Sequence, residues 1–215
     1  MKLLYYLRNM FPYCIQNFVK YVYMKWNMPY SICKHVFLYD LMKWSVKIWK
    51  NVFIWDIDGV VWEWCEIGDY TALHGNTKIY SSNDFNVKIW KFCSISAWCS
   101  FIADEDHDYK RLTTYTWKFK PTDLKVWATI TIWHDVWIWK NAIILKWVSV
   151  WTGAIIWAWS VVTKDVPPYG IVVWNPAKVI KYRFDDKTIK KLLQSERWNR
   201  DIEKIKENYN LEFLR

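Results

Sequence analysis

Glycine is scarce in this chain, whose 215 residues include only 5 glycines against 19 tryptophans. An ordinary globular domain shows the reverse balance, because glycine is a common residue and tryptophan a rare one. The hydrophobic content of 53% and the charged content of 24% nevertheless indicate a folded chain rather than a disordered one. The length suits one sizeable domain with accessory ends.

Cysteine is also sparse, and its pattern excludes two classes of protein. The chain has 5 cysteines, an odd number, and none of them forms a C-x-x-C pair. This excludes a disulfide framework and a zinc site built on paired cysteines. We therefore expect reduced thiols and a cytoplasmic protein.

Long apolar runs are missing as well. Residues 1–44 are aromatic and basic, but polar residues such as Arg8 and Lys20 interrupt them before the roughly 18 apolar residues of a membrane span are reached. They also lack a signal-peptide core with a small-residue cleavage site. We expect an N-terminal extension packed against the body. A segment lying on a membrane surface is the alternative.

The net charge of +9 indicates an anionic partner or a surface rich in solvated lysines. A polyanionic cofactor, nucleic acid and an anionic membrane all fit that charge. No nucleic-acid-binding module is recognisable, so we expect no nucleic-acid partner.

Aliphatic residues recur at every sixth position. The in-phase series are Ile132, Ile138, Ile144, Val150, Ile156 and Val162, then Val61, Ile67, Leu73 and Ile79, with shorter traces at Ile48 and Ile54 and at Ile89 and Ile95. Neither a helical period nor strand alternation predicts a strict period of six. A parallel β-helix does, because each short strand buries one aliphatic side chain before the chain turns a corner. Six residues per side and three sides per coil are typical of the left-handed form, which departs from the usual right-handed crossover. A chance run in a β-sandwich is the alternative.

Three stretches then resemble the motifs of one family. They are residues 131–139 (TIWHDVWIW), 160–169 (SVVTKDVPPY) and 174–180 (WNPAKVI). The chain resembles the hexapeptide-repeat acetyltransferases, in the branch of sugar O-acetyltransferases and chloramphenicol- and streptogramin-type xenobiotic acetyltransferases. The resemblance covers roughly residues 45–205.

The resemblance implies a mainly β fold. It places a left-handed parallel β-helix, a triangular prism, at residues 45–184, with a protruding loop at about 103–126. It places a C-terminal α-helix at residues 185–215, where apolar residues recur at helical spacing. It also implies a homotrimer with active sites at subunit interfaces.

The resemblance further implies transfer of acetyl from acetyl-CoA to a hydroxyl of a sugar, in a surface polysaccharide or its precursor. An antibiotic or an amino sugar is the alternative acceptor. A non-catalytic scaffold or membrane-surface binder is the alternative of another class. We expect no metal, because the H-x-x-x-x-H pair of the metal-binding carbonic anhydrases of this fold is missing.

One loop carries the expected catalytic residue. Residues 107–115 (HDYKRLTTY) are similar to the H-x-x-x-R-L-S-T loop of the family, whose histidine is the general base. The resemblance therefore implies that His107 is catalytic, a task that suits an imidazole titrating near neutral pH. An exposed loop histidine among carboxylates is the alternative.

Five residues match family positions near the coenzyme A groove: Trp137, Thr163, Lys164, Pro167 and Lys178. Lys164 and Lys178, with Lys181 and Arg183, are expected to bind the nucleotide phosphates. Solvated lysines and a tryptophan in the core are the alternatives. His134 is either structural or part of the wall of the site.

Eleven of the tryptophans stand where this family has glycine. Eight directly follow an aliphatic repeat residue: Trp49, Trp55, Trp62, Trp90, Trp133, Trp139, Trp151 and Trp157. Trp147, Trp159 and Trp174 occupy other glycine positions of the family. Because a tight corner favours a residue without bulk, we hypothesise that most of them are UGA codons that a bacterial lineage reads as glycine. A true tryptophan-rich prism is the alternative, and Trp137, Trp198 and Trp117 are expected to be genuine.

Overall fold

The computed structural model describes residues 46–48, 52–55, 64–82, 84–104, 112 and 128–201. The extension at residues 1–44 and most of the loop at 103–126 therefore lie outside the described residues. The strands are β1 (Val46–Ile48), β2 (Phe53–Trp55), β3 (Cys65–Ile67), β4 (Ala72–His74), β5 (Lys78–Tyr80), β6 (Phe85–Ile89), β7 (Ser94–Ile95), β8 (Ser100–Ile102), β9 (Ala128–Ile132), β10 (Trp137–Ile138), β11 (Ile143–Leu145), β12 (Ser149–Val150), β13 (Ile155–Ile156), β14 (Val161–Val162), β15 (Gly170–Val173) and β16 (Lys178–Tyr182). One helix, α1 (Asp186–Ser195), and a 3-10 turn (Arg197–Asn199) follow.

The strands form three sheets, which the chain visits in turn. The sheet orders are β1-β3-β6-β9-β12, β16-β15-β13-β10-β7-β4-β2 and β14-β11-β8-β5. All paired strands in the described residues are parallel except β15 and β16, which are antiparallel. Successive strands thus climb one coil at a time around a common core. The predicted fold class, a left-handed parallel β-helix with a C-terminal helix, is confirmed.

The residues of the six-residue repeat form three buried columns, one per sheet. In the first sheet, Ile67 pairs with Ile89, Ile89 with Ile132, and Val150 with Ile132. The other columns are Leu73, Ile95, Ile138, Ile156 and Val172, and Ile79, Phe101, Ile144 and Val162. Each of these side chains is at most 2% exposed. Burying one such side chain contributes about 1.5–3 kcal/mol, so stacked columns hold the coils together.

The corners of the prism lie three residues before each column residue, and their backbone is left-handed. Between β9 and β14 these corners are Asp135, Asn141, Trp147, Gly153 and Trp159, with φ from 57° to 73°. The N–H groups of Asp135, Asn141, Gly153 and Trp159 each donate to a carbonyl of the preceding coil, as when Gly153 donates to the His134 carbonyl at 2.8 Å. Glycine, asparagine and aspartate suit this conformation, whereas bulky residues rarely adopt it.

The chain leaves the prism after β15. Strand β16 turns back along β15 and is exposed along its whole length. Helix α1 begins at an Asp185 cap, whose carboxylate accepts from the Thr188 N–H at 2.7 Å, and it buries Leu192. It ends at Glu196, whose φ of 41° is left-handed, so the described helix covers the first third of the predicted segment. Within the described part of the chain, no helix is long and apolar enough to cross a bilayer.

Candidate active site

Trp137 lies on the outer face of the prism. It opens β10 beside the inward-pointing Ile138, and its indole is 40% exposed. Its ring centroid lies 4.7 Å from that of Trp139, with the planes tilted by 37°. Trp137 is therefore a surface residue and not part of the core, which removes the packing alternative.

Thr163, Lys164 and Pro167 share the connection between β14 and β15. Thr163 and Lys164 directly follow β14 and are exposed, whereas Pro167 is half-buried. Two bonds hold this connection on the prism, because Asp165 Oδ1 accepts from the Ser149 N–H at 2.8 Å and the Val166 N–H donates to the Ser149 carbonyl at 2.9 Å. The lysine is thus presented by an anchored segment.

Lys178 lies near the other end of β14. It opens β16 and is exposed, directly after a turn at residues 174–177 that is bonded to β14. The Val161 N–H donates to the Trp174 carbonyl at 3.1 Å, and the Ala177 N–H donates to the Val161 carbonyl at 2.8 Å. Lys164 and Lys178 therefore flank the two ends of β14 and offer two ammonium groups to an anionic ligand.

The guanidinium of Arg183 is bound within the chain. Its Nη1 donates to the Gly153 carbonyl at 2.7 Å and lies 3.5 Å from Asp135 Oδ2. The same carboxylate oxygen accepts from Arg197 Nη2 at 2.6 Å. These bonds fasten the segment after β16 to the prism, so the structure assigns Arg183 to anchoring.

His134 belongs to the same anchor. It is 7% exposed and stacks on Trp198, with ring centroids 5.0 Å apart and planes 9° from parallel. Its Nδ1 accepts from the Lys91 N–H at 3.3 Å. Burial, with a smaller effect of the Lys91 ammonium, lowers the pKa of His134 to about 4. The imidazole is therefore neutral at pH 7, and the structural interpretation of His134 is the one that its contacts support.

A pH prediction follows from the lowered pKa of His134. The unfolded chain protonates this imidazole near pH 6.5, whereas the folded chain resists protonation down to about 4. The unfolded state thus binds more protons in this window, and the free energy of unfolding should fall as the pH falls from 6.5 towards 4. The variant His134→Phe keeps a ring on Trp198 and should lose less stability over that window in chemical unfolding. Equal losses in both proteins would contradict this role.

The described thiols are unreactive. Cys65, Cys93 and Cys99 are free and buried. Burial raises the pKa of each thiol, to about 12 for Cys93 and Cys99. Among the described residues, no three His, Cys, Asp or Glu side chains are grouped as metal ligands would be. The three described thiols are therefore not candidates for the site chemistry.

The predicted general base, His107, lies outside the described residues. It falls between β8, which ends at Ile102, and β9, which begins at Ala128. Strand β9 pairs with β6 of an earlier coil, so the described coils on both sides of this stretch belong to one continuous prism. The role of His107 stays a prediction.

Sequence reasoning missed Asp135 as the centre of the anchor. Its two arginine partners lie 48 and 62 residues further along the chain. Neither spacing nor hydrophobic period links residues so far apart. The only sequence signal is the run of basic residues after β15, which was interpreted as facing an anionic ligand.

Comparisons with known proteins agree with this geometry. The chain is 40% identical over 134 residues to a probable macrolide acetyltransferase of Lysinibacillus sphaericus, covering 57% of this chain and 74% of that protein. It is 37% identical over 129 residues to a chloramphenicol acetyltransferase of Klebsiella aerogenes, covering 55% of this chain and 61% of that protein. The crystal structure of the polySia-specific acetyltransferase NeuO matches with a TM-score of 0.51 at 28% identity, covering 70% of this chain and 72% of that one. No protein-family model matches the chain.

The stacked six-residue coils define the class first, a hexapeptide-repeat β-helix protein. Given the 40% identity and the 74% coverage of the macrolide relative, the chain belongs to the hexapeptide-repeat acetyltransferase family, in the branch of the xenobiotic and sugar acetyltransferases. It spans 61% of the length of the chloramphenicol acetyltransferase that it matches.

Proposed function

We propose that this protein transfers acetyl from acetyl-CoA to a hydroxyl of a sugar, in a surface polysaccharide or its precursor. It works in the cytoplasm as a homotrimer whose active sites lie between subunits. The observation that carries the proposal is the pair of exposed lysines flanking β14, in a chain that belongs to an acetyltransferase family.

The residues around β14 fit an anionic, elongated co-substrate. Lys164 and Lys178 are exposed cations suited to phosphate groups, and Trp137 offers an exposed ring on the outer face of a neighbouring sheet. Bound acetyl-CoA would supply an acetyl group already activated as a thioester. The chain itself then has to hold the phosphates, orient the thioester and accept a proton from the acceptor hydroxyl.

His107 is the residue we propose for the proton. A general base works best when its pKa lies near the working pH, as for an ordinary exposed imidazole. His134 has a pKa lowered to about 4 and is buried under Trp198, so it is a poor competitor for this task. Asp104, a described residue at the start of the loop, is exposed and close in sequence to His107.

A second candidate acceptor is an antibiotic hydroxyl. It is favoured by the names of the relatives, a chloramphenicol acetyltransferase and a probable macrolide acetyltransferase. A panel of acceptors separates the two: sugars and sugar nucleotides on one side, chloramphenicol and a macrolide on the other. Mass spectrometry of the acetylated product then identifies the class of acceptor, sugar or antibiotic. Absence of coenzyme A binding would instead favour a non-catalytic scaffold.

Lys164, directly after β14, gives a direct test of the proposed acetyl-CoA site. Lys164→Ala should raise the KM for acetyl-CoA roughly tenfold and change kcat little, because it removes a charge-assisted contact that is made equally before and during the reaction. Lys187→Ala, which removes an equally exposed lysine from α1, is the matched control and should leave KM unchanged. The proposal for Lys164 fails if the two variants have the same KM in steady-state kinetics.

A further inference from the structure

Two positions of the six-residue repeat hold a glycine in the described chain, the residue directly after a column residue and the corner. We call the residue directly after each column residue the following position. Gly68 occupies it after Ile67, and its N–H donates to the Ile89 carbonyl at 2.7 Å. A Cβ added at Gly68 would lie 2.8 Å from the backbone carbonyl carbon of Trp90 in the next coil. Coils approach one another here by backbone alone.

Tryptophan occupies the same position in the next coils. The N–H of Trp90 donates to the Ile132 carbonyl at 2.8 Å, and that of Trp133 donates to the Val150 carbonyl at 2.8 Å. These are the bonds that Gly68 makes, one coil further along. The backbone position is therefore equivalent, although the side chain changes from the smallest to the largest.

The indoles at this position stack but are poorly accommodated. Trp90, Trp133 and Trp151 form a ladder with centroid separations of 5.9 and 5.0 Å. The indole nitrogens of Trp133 and Trp139 are buried and have no hydrogen-bond partner in the described structure. Buried indole N–H groups normally find an acceptor, so these two rings occupy buried space without the hydrogen bond that a tryptophan usually makes there.

The corner position repeats the same conflict. Trp64, Trp98, Trp147 and Trp159 stand there with φ between 57° and 66°, beside Gly153 at 73° in the same series. Trp159 donates its N–H to the Lys140 carbonyl as Gly153 does to the His134 carbonyl, and its side chain is 72% exposed. A left-handed backbone disfavours a bulky side chain, and exposure gives the ring no packing in return.

Two other tryptophans stand at neither the following position nor a left-handed corner. Trp137 lies within a strand, and Trp198 stacks on His134 near the anchor. Tyr70 and Phe92 do stand at left-handed corners, but they stack on each other at 5.1 Å with planes 5° apart. A left-handed φ alone therefore does not single out the ten tryptophans, and it has to be considered together with the repeat position and with the unbonded indole N–H groups.

We infer that ten of the tryptophans are glycines in the protein as its own cells make it, inserted at UGA codons by a glycine tRNA. The ten are Trp64, Trp90, Trp98, Trp133, Trp139, Trp147, Trp151, Trp157, Trp159 and Trp174, the last with a φ of 80°. Trp137 and Trp198 are tryptophan. The native prism then has glycine at these ten positions, and of the exposed indoles on its described surface only that of Trp137 remains.

The coding sequence and the native polypeptide test this together. We expect UGA at the ten positions and UGG at Trp137 and Trp198. In protein purified from its own cells, the tryptic peptide 126–140 should contain glycine at 133 and 139 but tryptophan at 137. The peptide 147–164 should be lighter by four tryptophan-to-glycine replacements. UGG codons at the ten positions, or tryptophan at 133 and 139 in the peptide, would overturn the inference.

A recombinant pair adds a physical readout. The chain with ten glycines should be soluble and unfold cooperatively, whereas the chain with ten tryptophans should aggregate or melt at a lower temperature. Replacing only Trp137 and Trp198 by glycine is the control and should lower the melting temperature of the ten-glycine chain. If the chain with ten tryptophans melts at as high a temperature as the ten-glycine chain, the inference is contradicted.

Discussion

Replacing His107 by alanine is expected to lower kcat for acetyl transfer by about 10²–10⁴-fold, the usual contribution of a general base. The acceptor hydroxyl has to lose its proton as it attacks the thioester carbonyl, and alanine cannot accept it. The dissociation constant for acetyl-CoA should not change, because the proposed phosphate contacts belong to lysines elsewhere. Steady-state kinetics and calorimetric binding measure the two quantities separately.

The matched control is His74→Gln, which alters another histidine, on β4, and should keep wild-type kcat. A pH profile adds a sharper criterion. The wild-type kcat/KM should rise with pH as the imidazole of the general base loses its proton. This rise with pH should be absent in His107→Ala. Equal rates in His107→Ala and wild type would remove His107 from the mechanism.

Ile138→Ala is expected to lower the free energy of unfolding by about 2–5 kcal/mol. Ile138 is fully buried and stacks between Ile95 and Ile156 in the column of the seven-stranded sheet. Truncation leaves a cavity that neighbouring coils cannot close without breaking their shared backbone bonds. Denaturant unfolding measures the loss.

Ile180→Ala is the control for that prediction. Ile180 lies on the exposed strand β16 and is 48% exposed, so its truncation should cost less than about 0.5 kcal/mol. Similar losses at positions 138 and 180 would contradict the assignment of the six-residue series to a continuous interior column.

The six-residue period predicted the fold because it marks one buried position per strand. Ile132, Ile138 and Ile144 are each fully buried, in three different sheets. The period did not reveal a second inward position, two residues earlier, because Thr77 and Cys99 there do not share a hydrophobic signature. Thr77 is buried with its hydroxyl bonded to the His74 carbonyl at 2.8 Å, a partner that sequence alone does not indicate.

The candidate site was predictable where its residues are close in the chain. Thr163, Lys164 and Pro167 belong to one motif, and one connection carries all three. The placement of Lys178 beside β14 depends on the bond between Ala177 and Val161, and the use of Arg183 depends on Asp135. Such long-range pairs follow from how the coils stack and not from local pattern.

Acetyl transfer itself is the most direct test of the account. Acetyl-CoA with a labelled acetyl group is incubated with the ten-glycine chain and with the chain with ten tryptophans, in the presence of the sugar and antibiotic acceptors. The account predicts release of free coenzyme A that depends on an acceptor, with the label recovered on one acceptor class. The account would be contradicted by a folded chain that transfers acetyl to none of the acceptors and does not bind coenzyme A.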